Sequence, residues 1–204
     1  MKGYNTLVLN NDNQYYLNSK NNIGKITYYP NFLNKKKSDK LYHELKNQSF
    51  WTHGVYNMFG KEIKTPRLLW ALKDDDVDIT DSYTVTDSSV WTKQVKKVKK
   101  KVEKLLSKKI KYAQLNYYRD GNDYIGWHTD SEIKPGHMIA SLSVGEPRLF
   151  QFKGIKSDDK HQLILDNGSL IIFDEDAGKK LWKHRLPKQS KIQGGRINLT
   201  FRLE

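Results

Sequence analysis

The C-terminal segment Arg196–Leu203, RINLTFRL, carries the clearest structural signal in the chain. Apolar and polar residues alternate strictly along it, which is typical of a β-strand with one buried face. The polar face presents two guanidinium groups beside an amide and a hydroxyl, on Arg196, Asn198, Thr200 and Arg202. Two arginines on one strand face can clamp a dicarboxylate, because each guanidinium is a planar fork that matches a carboxylate. A strand face exposed to solvent is the alternative.

Upstream of this strand, the chain consists of short apolar segments separated by turn residues. Glycines and an Asn-Gly pair punctuate these segments, which are residues 111–118, 138–144, 148–152, 163–165 and 169–173. Many short strands in one unit predict a β-sandwich or a β-barrel. The sequence has no internal repeat and no low-complexity linker that would indicate a second domain.

Two segments have the period of a helix instead. Leu41 and Leu45 lie four residues apart beyond a Ser38 cap, which predicts a short helix from about Asp39. In residues 90–107, apolar residues recur at steps of four and three, and the opposite face is nearly all lysine. This pattern predicts a solvated amphipathic helix whose charge attracts phosphate without specificity. A helix lying on a membrane surface is the less favoured alternative.

Composition limits the class of protein further. The 204 residues contain no run of 18 apolar residues, which predicts one domain with a sizeable core and no membrane span. The N-terminus lacks the apolar centre of a secretory signal, and the chain has no cysteine for disulfides or thiolate ligands. We therefore expect an intracellular enzyme, with nucleus, cytoplasm and viral factory left open. The net charge of +13 predicts a polyanionic partner, nucleic acid first and an anionic membrane second.

A candidate metal site lies in the segment 116–132. His128 and Asp130 are two residues apart, and on a strand such residues point to the same side. The imidazole and the carboxylate can then converge on one ion, and His184, after the apolar run 168–173, is the candidate third ligand. Two imidazoles and a carboxylate suit Fe(II) with open coordination positions. The alternative is a surface turn, because six histidines and 23 acidic residues can form one such pair by chance.

Together these motifs resemble the AlkB family of Fe(II)- and 2-oxoglutarate-dependent nucleic-acid dealkylating dioxygenases. The resemblance includes Asn116 and Tyr118 upstream of the metal pair, and it runs from about Ile26 to the C-terminus. It implies a mainly β fold with flanking helices, a double-stranded β-helix of the jelly-roll, cupin-like type. Residues 1–25 are then an N-terminal extension, and residues 26–204 form the catalytic domain.

The resemblance also implies a role for each motif residue. Fe(II) is expected to be held by the catalytic residues His128, Asp130 and His184. The co-substrate 2-oxoglutarate is expected to be bound by Asn116, Tyr118, Arg196, Asn198, Thr200 and Arg202. With O2 as the second co-substrate, the implied reaction is oxidative demethylation of bases such as 1-methyladenine and 3-methylcytosine. It releases an aldehyde together with succinate and CO2.

Recognition of the nucleotide is expected in a region of about residues 50–90. Phe59 lies beside Gly60 and Lys61, a combination that can stack on a base or wedge into a duplex while it contacts phosphate. From spacing alone, a hairpin tip whose phenylalanine packs inward is favoured. Similarity to the duplex-DNA-repair branch of the family shifts the balance towards an aromatic finger that fills the gap left by a flipped base.

The same similarity implies further substrate contacts. Tyr83 matches a position that lines the base pocket, and Glu132 is placed to contact the base, where a carboxylate favours a cationic alkylated base. An exposed turn acid is the alternative for Glu132. Residues 68–82 replace a Tyr-Gly-Asp-type turn of the family, so the resemblance does not predict the conformation of this loop. The preference for single- or double-stranded nucleic acid and the choice of lesion depend on that conformation.

Three functions remain open from the sequence. The first is dealkylation of nucleic acid, with DNA favoured and RNA retained, by a monomer that needs no membrane. The second is the same chemistry on a protein or a different RNA mark. The third is a basic nucleic-acid-binding protein without catalysis, against which the intact metal and arginine motifs argue. The remaining histidines are predicted to lie on the surface, and Trp182 in the core; these histidines are His43, His53, His137 and His161.

Overall fold

The computed structural model describes residues 3–7, 14–19, 22–77, 87–88, 91–130 and 137–203. In chain order, the elements are β1 (Asn5–Thr6), β2 (Gln14–Ser19), β3 (Asn22–Tyr29), α1 (Lys35–Lys46), β4 (Thr52–Met58), β5 (Lys61–Lys73), β6 (Asp87–Ser88), α2 (Lys93–Leu106), β7 (Ile110–Tyr118), β8 (Ile125–His128), β9 (Ile139–Gly145), β10 (Arg148–Gly154), β11 (Lys160–Leu165), β12 (Leu170–Phe173), β13 (Trp182–Leu186) and β14 (Arg196–Leu203). One turn of π-helix, Asp176–Lys180, precedes β13. Neither α1 nor α2 is both long and apolar enough to cross a membrane.

The described strands form two sheets. The smaller sheet has the order β1, β11, β10, β13, β8, and the larger has the order β2, β3, β12, β9, β14, β7, β5, β4, with β6 beside β5. Nearly all neighbours are antiparallel; the exceptions are the short strands β1 and β6. Strands from the segment 1–25 contribute to both sheets, and the predicted boundary after residue 25 stays a prediction.

Strand β14 lies in the middle of the larger sheet and has two different faces. Its apolar face packs in a core cluster with the buried stripes of α1 and α2, including Leu41, Val95 and Val102. Its polar face looks towards the smaller sheet, where a second cluster joins β10 and β13 to the larger sheet. The alternation seen in the sequence therefore separates a helix-covered face from an inner face between the sheets.

Helix α1 starts earlier than the sequence pattern predicts. Asn34 is its N-cap, and the Asn34 side chain accepts a hydrogen bond from the Lys37 amide over 3.1 Å. Ser38, the predicted cap, is fully buried in the first turns, and its hydroxyl donates to the carbonyls of Asn34 and Lys35. The prediction of a start near Asp39 is wrong because asparagine caps a helix as well as serine does.

Helix α2 confirms its predicted stripe except at Leu105, which is 40% exposed. It begins after Thr92, whose side chain accepts a hydrogen bond from the amide of Val95. The apolar residues that the stripe buries are Val95, Val98 and Val102. The lysines of the opposite face remain at the surface, so the helix covers the sheet and presents its charge outward.

Part of the segment predicted as a loop is a strand. Residues 68–73 continue β5 and pair with β7, and Leu69, Trp70, Ala71 and Leu72 have no exposed surface. The loop prediction is wrong for these residues, because an apolar run buried on both faces is typical of an inner strand. Residues 78–82 lie outside the described part of the chain.

One of the predicted surface histidines is buried. His161 is 8% exposed and packs edge-on against Trp182, with 5.3 Å between the ring centroids. The surface prediction is wrong for His161, because it shares a strand face with buried Leu163 and Leu165. Trp182 itself is fully buried, as predicted.

Candidate active site

Three predicted metal ligands meet between the two sheets. His128 ends β8, and His184 on the neighbouring strand β13 lies directly opposite it. Asp130 follows two residues beyond β8, where its amide donates a 2.9 Å hydrogen bond to the carbonyl of Gly178 in the π-helical turn. One ligating atom from each residue lies within 4.8 Å of the others. The convergence expected from the sequence is thus present, with His128 half-buried and the other two residues buried.

The hydrogen bond of His128 leaves one imidazole nitrogen available for a metal. The Nδ1 of His128 is 2.9 Å from the carbonyl oxygen of Gly126. A carbonyl only accepts, so Nδ1 carries the proton and Nε2 keeps a free lone pair. The Nε2 of His184 lies 3.3 Å from Oδ2 of Asp130. Two imidazole nitrogens and a carboxylate oxygen form a donor set that fits a ferrous ion.

The protonation states also fit metal binding. Burial, followed by the neighbouring His184, lowers the pKa of His128 to about 3. Burial alone would raise the pKa of Asp130, but His184 and then Arg202 hold that pKa well below its usual range. At neutral pH the His128 imidazole is therefore neutral and the Asp130 carboxylate is ionised, which is the state that ligates a metal.

These shifts predict how acid affects the metal-free protein. In the unfolded chain His128 takes up a proton near its ordinary pKa of 6.5, whereas in the folded chain it does so only near pH 3. The unfolded state binds more protons in this window, so stability falls as the pH is lowered through it. We expect the melting temperature to drop from neutral pH towards pH 4, and to drop less in His128→Asn. Equal pH slopes for the two proteins would contradict this assignment.

A cavity of about 140 Å³ lies beside the triad, and the triad forms part of its wall. Strands β14 and β7 supply the opposite wall in a paired register, in which Arg196 faces Tyr118 and Asn198 faces Asn116. All residues predicted to bind the co-substrate line this cavity, namely Asn116, Tyr118, Arg196, Asn198, Thr200 and Arg202. The structure therefore brings the metal motif and the arginine motif to one site.

Arg196 has the properties of an anion-binding group. It is 2% exposed, and its Nη2 donates a 2.8 Å hydrogen bond to the hydroxyl of Ser143. Its Nε has no hydrogen-bond partner among the described residues. Burial lowers the pKa of Arg196 to about 10, so the guanidinium stays charged at neutral pH. A buried cation with a vacant donor is costly unless an anion completes it, and a carboxylate has the matching geometry.

A chain of polar side chains orients the amides beside Arg196. Nδ2 of Asn198 donates to Oγ of Ser141 over 2.6 Å, and Oδ1 of Asn198 accepts from the Thr200 hydroxyl over 2.8 Å. Nδ2 of Asn116 donates to the same Oδ1 over 3.3 Å. Nε of Arg67 donates to Oδ1 of Asn116 over 2.6 Å. Each amide is thus held by its neighbours, which keeps this wall of the cavity in one arrangement.

The sequence did not single out several residues of the cavity. Gln114 and Ser141 line the cavity; Gln114 shares the strand face of Asn116, and Ser141 shares its face of β9 with Ser143, which accepts a hydrogen bond from Arg196. A period-two pattern could have found these positions, because each lies two residues from another polar residue of a predicted strand. Arg67 is 5% exposed and lines the cavity, but no periodic signal marks it, since its place depends on the pairing of β5 with β7.

Among the predicted substrate residues, the aromatic of the hairpin is exposed. Phe59 is 96% exposed at the tip between β4 and β5. Phe59 and Gly60 have φ values of 51° and 76°, as in the tight turns that connect hairpin strands. Inward packing of this phenylalanine, the alternative favoured by spacing alone, is therefore wrong. Gly60 and Lys61 are exposed beside it, whereas Tyr83 and Glu132 lie outside the described residues.

Comparison with known proteins supports a site for Fe(II) and 2-oxoglutarate. A family model, the 2OG-Fe(II) oxygenase superfamily, matches residues 25–202. The chain is 29% identical over 187 residues to the DNA oxidative demethylase ALKBH2 of Homo sapiens, with 85% of this chain and 71% of that protein covered. It is 28% identical over 193 residues to the alpha-ketoglutarate-dependent dioxygenase alkB homolog 3 of Mus musculus, with 88% of this chain and 66% of that protein covered.

Solved structures share the fold. The structure of OsALKBH1 matches with a TM-score of 0.54 at 18% identity, and covers 87% of this chain and 97% of that one. A 2OG-Fe(II) oxygenase family oxidoreductase from Burkholderia pseudomallei matches with a TM-score of 0.56 at 9% identity, and covers 87% and 84%. At these identities the likeness concerns the fold alone. With the two packed sheets, it confirms the predicted mainly β jelly roll.

Proposed function

The chain belongs to the 2OG-Fe(II) oxygenase superfamily, in its AlkB family, and we propose that it removes alkyl groups from nitrogen atoms of DNA bases. It is a dioxygenase that uses Fe(II), 2-oxoglutarate and O2, so the non-catalytic alternative is set aside. The proposed lesions are 1-methyladenine and 3-methylcytosine in DNA, with RNA as a second possible polymer. The similarity to ALKBH2 of Homo sapiens, which is named a DNA oxidative demethylase, supports the choice of DNA.

The observation that carries this proposal is the shared cavity of the two motifs. A neutral histidine, an ionised aspartate and a second histidine converge on one wall, and a charged, incompletely bonded Arg196 is buried in another. This combination fits a ferrous ion next to a dicarboxylate. If the buried charges served only to stabilise the fold, the Nε donor of Arg196 would have no hydrogen-bond partner among the described residues.

In the proposed mechanism, the protein binds and orients the reactants and excludes water from them. His128, Asp130 and His184 would hold Fe(II) with two imidazole nitrogens and one carboxylate oxygen. Arg196 and Arg202 would neutralise the carboxylates of 2-oxoglutarate. Further hydrogen bonds to 2-oxoglutarate would come from Asn116, Tyr118, Asn198 and Thr200. When bound, Fe(II), 2-oxoglutarate and O2 supply the oxidation that hydroxylates the N-alkyl carbon, with succinate and CO2 as co-products.

The surroundings of the triad would protect this chemistry from water. Phe150, Phe173 and Leu186 complete the cavity wall with apolar surface. The Phe150 and Phe173 rings lie 5.5 Å and 5.4 Å from the ring of His184. An apolar wall around charged reactants strengthens each electrostatic contact, because the effective dielectric constant is low. It also holds the imidazole of His184 in a fixed orientation.

The substrate base must leave its stack to reach the iron. Flipping costs a few kcal/mol and is easiest for a lesion that pairs badly. Phe59 would fill the gap that the base leaves, Gly60 would let the tip approach the duplex, and Lys61 would contact phosphate. Tyr83 and Glu132 are proposed to line the base pocket, where the Glu132 carboxylate would favour a cationic alkylated base.

The direct test is quantitative demethylation of matched oligonucleotides. Iron-loaded protein is incubated with 2-oxoglutarate and with single- or double-stranded oligonucleotides that carry one 1-methyladenine or 3-methylcytosine. We expect loss of the methyl group in step with succinate formation. If all of these lesions persist while a protein or RNA substrate drives succinate formation, the dioxygenase acts on that other substrate and the DNA proposal fails.

Replacement of Phe59 by alanine is expected to separate duplex from single-stranded activity. Stacking of an aromatic on a base contributes roughly 1–3 kcal/mol, which corresponds to about 5- to 150-fold in rate or affinity. We expect a loss in this range for kcat/KM on duplex substrate and little change on single strands. Because Phe59 is 96% exposed, the melting temperature should not change.

The matched control is Phe59→Trp, which keeps an aromatic ring at the hairpin tip and is expected to retain duplex activity. Equal losses on duplex and single-stranded substrate in Phe59→Ala would show that the hairpin tip does not act as a finger.

A further inference from the structure

A groove lined by lysines runs between α1 and α2. It has a volume of about 450 Å³, and its apolar floor includes Leu33, Leu41 and Val98. We call it the lysine groove, after the five lysines that line it, which are Lys36, Lys37, Lys40, Lys97 and Lys101. Both helices thus present cations to the same space. A solvated α2 alone, as the sequence predicts, would not form such a groove.

The lysine groove lacks carboxylates to balance its charge. Its lining residues include no aspartate or glutamate. Of the acids on the two helices, Asp39 bonds to Lys35 and Asn167, Glu103 accepts from the amide of Ile110, and Glu44 does not line the groove. The positive charge of the groove therefore remains available to an anion from outside.

The environment of Lys101 indicates crowding of cations in the groove. Its ammonium group donates to the carbonyl of Phe32 and lies 4.0 Å from the centroid of the Phe32 ring. Burial, followed by the charge of Lys37, lowers the pKa of Lys101. The two ammonium groups therefore repel each other across the groove, and a bound anion would relieve that repulsion.

The lysine groove and the catalytic cavity lie on opposite faces of the larger sheet. Helices α1 and α2 pack on the side chains of Leu115 and Leu199. The cavity is lined by the alternating neighbours Asn116 and Asn198, which point the other way because successive side chains on a strand alternate. One straight segment of nucleic acid cannot pass through both places, because the sheet separates them.

We propose that the lysine groove binds the phosphate backbone of a second segment of nucleic acid, distinct from the segment whose base is repaired. Cations at successive turns of α2 and along α1 form a row, which suits a polymer of phosphates better than a single anion. Lys97 and Lys101, for example, are separated by a rise of about 6 Å along the helix axis.

A membrane surface fits these helices less well than nucleic acid does. An interfacial helix inserts its apolar face into lipid, but the apolar stripe of α2 is buried against the sheet. Among its described residues, Leu105 is the large apolar side chain with substantial exposure, at 40%. The apolar stripe that a lipid surface would require is therefore already covered, and the rim of the groove offers cations instead.

A second contact would keep the enzyme near nucleic acid while lesions are searched for. Tethering through one site raises the effective concentration of the same polymer at the other. This inference goes beyond the proposed function, because it concerns binding of undamaged polymer and requires no oxidation.

The test compares two variants that lose equal charge. The groove variant carries Lys36→Gln, Lys37→Gln, Lys40→Gln and Lys97→Gln. The control variant carries the same substitution at exposed lysines outside the groove lining, which are Lys93, Lys96, Lys100 and Lys108. Each is titrated with lesion-free duplex and single-stranded DNA over a range of salt concentrations, without iron or 2-oxoglutarate.

We expect the groove variant to bind at least ~10-fold more weakly than the control variant at low salt. Each lost phosphate contact lowers the slope of log K against log salt by about 0.9 for duplex DNA, so four lost contacts lower it by up to about 3.6. Equal losses in the two variants would overturn the proposal, because they would indicate attraction by diffuse charge rather than a site.

A second measurement locates the contact and also addresses folding. Acetylation of wild-type lysines, read by mass spectrometry, should be slowed by DNA at Lys37, Lys40 and Lys97 more than at Lys96 and Lys100. Lack of selective protection would overturn the proposal, as would protection by anionic phosphatidylserine vesicles but not by DNA. Since lesion-free DNA is used, the result does not depend on whether the protein proves to be a demethylase.

Discussion

Asp130→Ala is expected to abolish tight Fe(II) binding and to lower the rate of succinate formation more than about 100-fold. Changes in the groups around metal ligands typically cost 10- to 100-fold in affinity or activity, and this substitution removes a ligand itself. It also removes the negative charge that balances the ion between the two imidazoles. Metal affinity would be measured by anaerobic titration, and turnover by succinate formation with a methylated oligonucleotide.

The control is His137→Ala, which removes a nearby histidine that is not among the clustered ligands. It should bind Fe(II) and form succinate as the wild type does. Circular dichroism would check that Asp130→Ala is folded, because removing one partner of the buried His184–Asp130 pair lowers stability. Wild-type iron affinity in a folded Asp130→Ala protein would contradict the assignment of the site.

Arg196→Ala is expected to weaken 2-oxoglutarate binding by about a hundred- to several-thousand-fold. Breaking a buried ion pair by removing one partner costs roughly 3–5 kcal/mol, and Arg196 is only 2% exposed. The co-substrate carboxylate would then be desolvated without a fixed cation. Binding would be measured anaerobically, by calorimetry, with the iron-loaded protein and 2-oxoglutarate.

Two variants define what the effect of Arg196→Ala means. Arg196→Lys keeps the charge but loses the planar fork, so its affinity should fall between those of the wild type and Arg196→Ala. Arg185→Ala removes a half-buried guanidinium that bonds to Gln151 and stacks on Trp127 outside the cavity, and it should leave 2-oxoglutarate affinity unchanged. Equal affinity for Arg196→Ala and wild type would exclude the proposed role.

The sequence predicted those parts of the fold and site that depend on local periodicity. Strict alternation located β14 and placed Arg196 and Arg202 on one face. The His-x-Asp spacing predicted that His128 and Asp130 converge, and the pattern of lysines and valines predicted α2. For β14 and α2 the information lies within a few residues, because side-chain direction repeats with the element itself. Asp130 lies beyond the end of β8, so its convergence with His128 does not follow from strand alternation as the prediction assumed.

What the sequence missed depends on pairing between distant segments. Arg67 reaches the cavity because β5 lies beside β7, and its contact with Asn116 spans 49 positions of sequence. The burial of His161 similarly depends on Trp182 packing against it across the smaller sheet. Arg67 does not differ locally from a surface arginine, so periodicity alone could not identify it, whereas the strand face that His161 shares with buried Leu163 and Leu165 could have marked that histidine as buried.

The central position of β14 ties co-substrate occupancy to the integrity of the whole protein. The strand is hydrogen-bonded along both edges, to β7 and to β9, so its arginines cannot withdraw while Leu199 stays in the core. Loss of the diacid site and global unfolding are then a single event. A ligand that binds only the folded state shifts the folding equilibrium by mass action. Bound diacid is therefore expected to hold the whole chain in its native state as well as to take part in turnover.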